Sequence, residues 1–100
     1  MTFTLKDKLN MKGSVALITG AGNILGPEFA MALAEFGADL ILVDIDKDGC
    51  ENAALKVRDR YGVRTHVMVV DVGEEQEVAD MVDFVISEFG KIDVLVCGAA

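Results

Sequence analysis

Val15-Ala-Leu-Ile-Thr-Gly-Ala-Gly-Asn-Ile-Leu-Gly-Pro27 is the stretch on which the fold turns. It opens with a continuous apolar run, Val15 to Ile18, that ends in Thr19-Gly20. A glycine-rich turn follows, and helical spacing starts near Pro27. Proline suits the first helical position, because its missing N–H would be unpaired there in any case. Phe29, Ala30, Leu33 and Ala34 recur at helical spacing, and Gly37 supplies the stop. The opening unit is therefore a buried strand, a tight glycine turn and an amphipathic helix.

Outward from that unit the alternation repeats. Leu40 to Val43 is a second apolar strand, ending on Asp44. Lys47 to Arg60 reads as a helix with Ala53, Ala54 and Val57 inward, closed by Tyr61-Gly62. His66 to Val70 is a third strand, ending on Asp71. Glu74 to Phe89 has the clearest helical period, with Val78, Met81, Val82, Val85, Ile86 and Phe89 on one face. Glu74, Glu75 and Glu77 suit the positive end of its dipole, and Gly90 ends it. Ile92 to Cys97 is the fourth strand.

Strands this apolar imply a parallel sheet buried on both faces, joined by right-handed crossovers. The predicted architecture is α/β, a doubly wound parallel sheet of Rossmann-like type in the order β-α-β-α-β-α-β. Successive units place most of the three helices on one face. The other face, and the edge Val94 to Cys97, would stay bare, which complete proteins avoid. Residues 13–100 are accordingly expected to be the front half of a larger single domain, with residues 1–12 as a leader segment.

Composition narrows the function. Nine Lys plus Arg against seventeen Asp plus Glu leave a net charge of −8, and no basic run exists to track a phosphate backbone. Nucleic acid and anionic membrane surfaces are therefore not expected partners. A hydrophobic content of 52% is too high for disorder. The apolar stretch Val94 to Ala100 is too short to span a bilayer. Met1 to Lys12 mixes charges with Phe3, Leu5 and Leu9 and lacks the apolar core of a signal peptide. Cys50 and Cys97 share no metal-ligand spacing, so no metal is expected. These readings describe a cytoplasmic, acidic domain.

The chemistry is carried by the turn. Glycines let the backbone approach a phosphate closely, and the following helix N-terminus favours an anion. Gly20, Gly22, Asn23, Ile24, Leu25 and Gly26 form that turn, between a strand and a helix as a dinucleotide fingerprint requires. Asp44 ends the second strand 18 residues after Gly26, where a carboxylate meets the adenosine ribose hydroxyls. Asp71 ends the third strand on the same edge, where such folds bind ligands, and is also read as a cap for the helix that begins near Glu74, the two roles being compatible. The acid at Asp44, with only Lys47 among Ile45-Asp46-Lys47-Asp48, favours NAD over NADP.

Thr19-Gly20 with Gly26, Asp44, Asp71-Val72 and Asp93-Val-Leu-Val-Cys-Gly-Ala99 together resemble the N-terminal half of the short-chain dehydrogenase/reductase family. The resemblance covers nearly the whole chain from Lys12 onward. It implies that the glycine turn cradles the pyrophosphate, and that Asp44 with Ile45 borders the adenosine ribose. It further implies that Asp71 and Val72 flank the adenine, and that Gly98 and Ala99 line the cofactor cleft. The implied activity is hydride transfer between nicotinamide and a small alcohol or carbonyl substrate, in a protein that forms homo-oligomers.

Three departures stand out. Ile24 occupies a position that is glycine in the family, and Asn23, tolerant of positive φ, can supply the left-handed step. A branched residue followed by Leu25-Gly26 is similar to some sugar-acid and polyol dehydrogenases. Cys97 and Ala100 replace the family's Asn and Gly, and Cys97 is expected as buried filler. The family's catalytic Ser and Tyr-x-x-x-Lys have no counterpart here. Tyr61, followed by Thr65, is expected to pack at a helix end, His66 to start a strand, and no catalytic residue is named. Two other readings remain open: a dinucleotide-binding module without catalysis, and a methyltransferase with a similar glycine turn.

Overall fold

A computed structural model describes residues 10–22 and 25–98. Four parallel strands, β1 (Val15–Thr19), β2 (Asp39–Asp44), β3 (Thr65–Val69) and β4 (Val94–Cys97), lie in the order β3-β2-β1-β4. Helices α1 (Gly26–Glu35), α2 (Lys47–Tyr61) and α3 (Glu75–Phe89) make the crossovers. The chain runs outward from β1 through β2 to β3, then returns to place β4 on the other side of β1. That reversal is the switch point of a doubly wound sheet. The fold is the Rossmann-like α/β architecture expected.

Strand alternation divides the core in two. Ala16, Ile18, Leu40 and Leu42 face α1 and α2, where Ala30, Ala34, Cys50, Ala53, Ala54 and Val57 complete a buried cluster. Val15, Leu17, Ile41 and Val43 point the other way, towards Met81 and Val85 of α3. Small residues on α1 and α2 let both helices lie close to the sheet.

Several element ends move by a residue or two. The third strand is Thr65–Val69 rather than His66 to Val70, pairing down to Asp44 opposite Val69, and the Val70 N–H closes the ladder by donating to the Asp44 carbonyl at 3.2 Å. The fourth starts at Val94 rather than Ile92. Just before it, the Asp93 N–H donates to the Val15 carbonyl while the Asp93 carboxylate accepts the Val15 N–H, both at 2.8 Å. Gly62 and Gly90 close α2 and α3 with φ of 67° and 83°. Gly37 takes φ of 99°, one residue beyond the Phe36 C-cap of α1.

Two buried faces are narrower than their periodicity suggests. On α3, Val82 and Ile86 are 38% and 45% exposed, since α3 alone stands over its side of the sheet. On α1, Phe29 is likewise exposed at 45%, whereas Ala30 and Ala34 are buried. Cys97 is exposed, not buried filler. It shares with Leu95 the uncovered side of an edge strand, while Val94 and Val96 turn towards α1 and α2.

Candidate functional site

All four strands end on one edge, because all four are parallel. That edge gathers Gly20, Gly22, Leu25 and Gly26 after β1, Asp44 and Ile45 at the end of β2, Asp71 and Val72 after β3, and Gly98 after β4. Asn23, Ile24 and Ala99 lie outside the described residues.

The turn after β1 is built on close approach. Gly20 has φ of 69°, which reverses the chain directly after the strand. A Cβ on Gly26 would fall 2.5 Å from the Ala21 Cα and nearer still to the Gly20 carbonyl oxygen. No side chain fits there. The first turn of α1 is thereby pressed against the end of β1, and its N-cap, Leu25, brings no side-chain acceptor to the helix N–H groups. Pro27 follows in the first turn, as its ring geometry favours.

Asp44 is locked to this turn. Its Oδ2 accepts the Gly22 N–H at 2.9 Å and its Oδ1 accepts the Asp46 N–H at 3.1 Å. An ionised carboxylate offers about four acceptor positions, so about two remain for hydroxyl donors. Asp46 caps α2 in turn, its Oδ1 accepting the Gly49 N–H at 3.1 Å. One chain of bonds therefore runs from the glycine turn through Asp44 to the start of α2.

Below it lies the Cys50 thiol, fully buried, its pKa pushed up to about 12 by burial and by the charges of Asp44, Asp46 and Glu51. The thiol stays protonated and unreactive at neutral pH.

Asp71 does not cap the helix. Its Oδ1 accepts the Gly73 N–H at 2.9 Å, and its own N–H donates to Glu77 at 3.2 Å, so it shapes the loop before α3. The N-cap of α3 is Glu74, whose side chain makes no capping bond. Leu25, Ile45 and Val72 stand 62%, 68% and 45% exposed, an apolar rim around the polar centre.

On the β4 side, the Thr19 carbonyl accepts the Gly98 N–H at 3.0 Å, and Thr19 Oγ1 donates to the Val96 carbonyl at 3.4 Å. A Cβ on Gly98 would come within 3.0 Å of that Thr19 oxygen. Beside these residues, Leu17, Val78, Met81, Val82, Leu95 and Cys97 help line an apolar groove of about 340 Å³.

The remaining candidates lie elsewhere. Tyr61 packs at the end of α2 against the core, with Arg60 over its ring at 5.6 Å. His66 is the second residue of β3 and stacks on Phe84 at 5.0 Å, near the amino ends of the strands. Two residues escaped the sequence reading. Gly49 looked like an ordinary position in a helix, and Asp46 looked only like one more acid. The spacing of Asp46 before an N-terminal helical turn was the available signal for its cap.

Residues 14–100 match the family described as short chain dehydrogenase. The chain belongs to that family. Among curated relatives, the 7alpha-hydroxysteroid dehydrogenase of Escherichia coli (strain K12) is 36% identical over 93 residues, covering 93% of this chain and 36% of the relative. The NADP-dependent mannitol dehydrogenase of Alternaria alternata is 37% identical over 98 residues, covering 95% and 37%. Among solved structures, an NAD+-bound xylitol dehydrogenase superposes with a TM-score of 0.82 at 41% identity, covering 85% of this chain and 32% of that one. This short-chain dehydrogenase chain spans little more than a third of the curated relatives' length. Among the described residues, no helix is long and apolar enough to cross a membrane.

Proposed function

We propose that this chain holds NAD along the carboxyl edge of its sheet, as the cofactor-binding part of an oxidoreductase acting on a small alcohol or carbonyl substrate. The observation that carries the reading is the Asp44 carboxylate, fastened to the glycine turn by the Gly22 N–H. The residues present fit a dinucleotide. Gly20 and Gly26 let α1 begin against the end of β1, where an anion meets the positive end of the helix. Asp44, already held in orientation, accepts from ribose hydroxyls. Ile45 and Val72 offer apolar surface to a base, with Asp71 beside it, and Gly98 leaves the β4 side open. Bound NAD supplies hydride transfer, while the chain's share is to bind, orient and choose the cofactor.

Asp44 also supports NAD over NADP. A 2′-phosphate brings a charge of about −1.5 to −2 at neutral pH. Facing Asp44 it would lose a hydrogen bond and meet Asp46 and Asp48, with Lys47 the one cation in that segment. The NADP-dependent mannitol relative and the NAD+-bound xylitol relative show that cofactor choice varies between similar proteins, so the local charge carries the argument. A sugar acid or polyol is the proposed substrate class, supported by those two relatives and by the Ile24-Leu25-Gly26 turn. We place the protein in the cytoplasm, which its two free cysteines suit, and read it as a homo-oligomer by likeness to its family.

Calorimetric titration of the complete protein with NAD and NADP tests the reading, followed by turnover on polyols, sugar acids and hydroxysteroids. Tighter binding of NAD is expected, with turnover on a polyol or sugar acid. Tighter NADP binding overturns the cofactor assignment, and preference for a hydroxysteroid overturns the substrate class.

A further inference from the structure

We propose that Gly49 is a positioning residue for the dinucleotide site, acting through Gly22 and Asp44; the inference rests on the NAD reading above. Gly49 is the third residue of α2, one turn behind the Asp46 cap. Glycine there weakens a helix, and its backbone does not need glycine, because Gly49 is absent from the positive-φ glycines of the described chain. Space is the requirement. A Cβ on Gly49 would lie 2.6 Å from the Gly22 carbonyl oxygen, 3.0 Å from the Gly22 Cα and 2.6 Å from Asp46 Oδ2. From the other side, a Cβ on Gly22 would lie 3.1 Å from Asp44 Oδ2, 3.1 Å from the Asp46 carbonyl oxygen and 3.2 Å from the Cys50 nitrogen. Two bare stretches of backbone meet, one from the phosphate turn and one from α2.

The Gly22 residue is thus held twice. Its N–H is bonded to Asp44 and its carbonyl side rests on Gly49. The helix behind Gly49 has little room to retreat, because Cys50, Ala53, Ala54 and Val57 seat it in the core. A methyl group at position 49 therefore displaces the turn rather than the helix. Gly22 withdraws from Asp44, and the carboxylate loses the donor that aims it. The ribose acceptor and the phosphate turn are disturbed together by a side chain that touches neither ligand group.

The test is Gly49→Ala in the complete protein, with Gly22→Ala as a milder squeeze on the same contact. Dissociation constants for NAD are measured by calorimetry, kcat and KM for NAD on a turned-over alcohol, and Tm without cofactor. For Gly49→Ala we expect the NAD Kd and KM to rise about tenfold with kcat within about twofold of the parent, and for Gly22→Ala, which lies in the binding turn itself, the NAD Kd to rise about threefold. Helix propensity alone predicts the opposite sign for Gly49→Ala, a higher Tm and unchanged binding. That result would overturn the inference while leaving the NAD reading intact. Should Gly49→Ala fail to fold, Gly22→Ala decides, and NAD binding equal to the parent overturns the proposal. A parent that binds no NAD removes the underlying reading instead.

Discussion

The two faces of this sheet are made from the same strands and finished differently. On one, α1 and α2 cover Ala16, Ile18, Leu40 and Leu42, all fully buried. On the other, α3 alone serves Val15, Leu17, Ile41 and Val43, and it leaves Leu95, Val82 and Ile86 open beside an apolar groove. The finished face anchors the Asp44 side of the proposed cofactor site, since α2 starts from the Asp44–Asp46 bonds. The open face meets the β4 side of the cleft. The comparison teaches that the Asp44 corner is braced by local packing, whereas the β4 corner is held mainly by hydrogen bonds to β1.

The strongest way to break the braced corner is Gly26→Val. Its branched side chain would overlap the end of β1, so overpacking of about 1–3 kcal/mol or more and loss of measurable NAD binding are expected. Chemical denaturation and calorimetry of the complete protein measure both. Parent-like affinity would detach the glycine turn from phosphate binding.

Paired deletions sharpen the contrast between faces. Leu42→Ala, fully buried beneath α1 and α2, should cost about 2–5 kcal/mol. Leu95→Ala, 62% exposed, should cost no more than about 0.5 kcal/mol in the 100-residue chain. Urea denaturation of both variants compares them, and equal losses would erase the distinction.

At the polar centre, Asp44→Ser should weaken NAD binding by roughly one to two decades and narrow the gap to NADP. The ratio of kcat/KM for the two cofactors, parent against variant, is the readout. An unchanged ratio would leave Asp44 as a turn residue only.

The smallest expected effect lies where β4 is tied to β1. The Val15 N–H bonded to Asp93, with Lys91 at 3.2 Å, holds this carboxyl below its ordinary 3.8. A lowered folded pKa means that its stabilisation is complete above the unfolded value and is lost as pH falls through the folded one. Parent and Asp93→Asn should therefore differ in Tm by a constant amount above about pH 5, and converge as the solution becomes more acidic. A difference that persists in strong acid would contradict this role.

Legibility followed locality. The places of the glycine turn and Asp44 on one sheet edge could be read because each directly ends an apolar strand of the opening strand–turn–helix–strand unit. Gly49 could not, because its need for glycine arises only where α2 lands on Gly22, 27 residues away in sequence. The α3 period was legible, but not which of its apolar positions would find a neighbour, since Val82 and Ile86 depend on what stands beside the helix. Cys97 was misjudged for a similar reason. The bare edge Val94 to Cys97 is legible in the sequence, but which side of that strand Cys97 takes is not, and its exposure follows from the uncovered side of β4 in the β3-β2-β1-β4 order.

That order also sets a timetable. Among the described residues β1 is the first strand made and sits between β2 and β4, so its two flanks are satisfied at very different moments of synthesis. Val94 leaves the ribosome about 50 residues after Asp44, an interval on the order of 3–10 s at common translation speeds. Through that interval the nascent β1 offers one unpaired backbone edge on a strand whose Ala16, Leu17 and Ile18 all end fully buried. The newborn chain must be guarded against mispairing there until Asp93 closes on Val15 and the β4 ladder seals the strand.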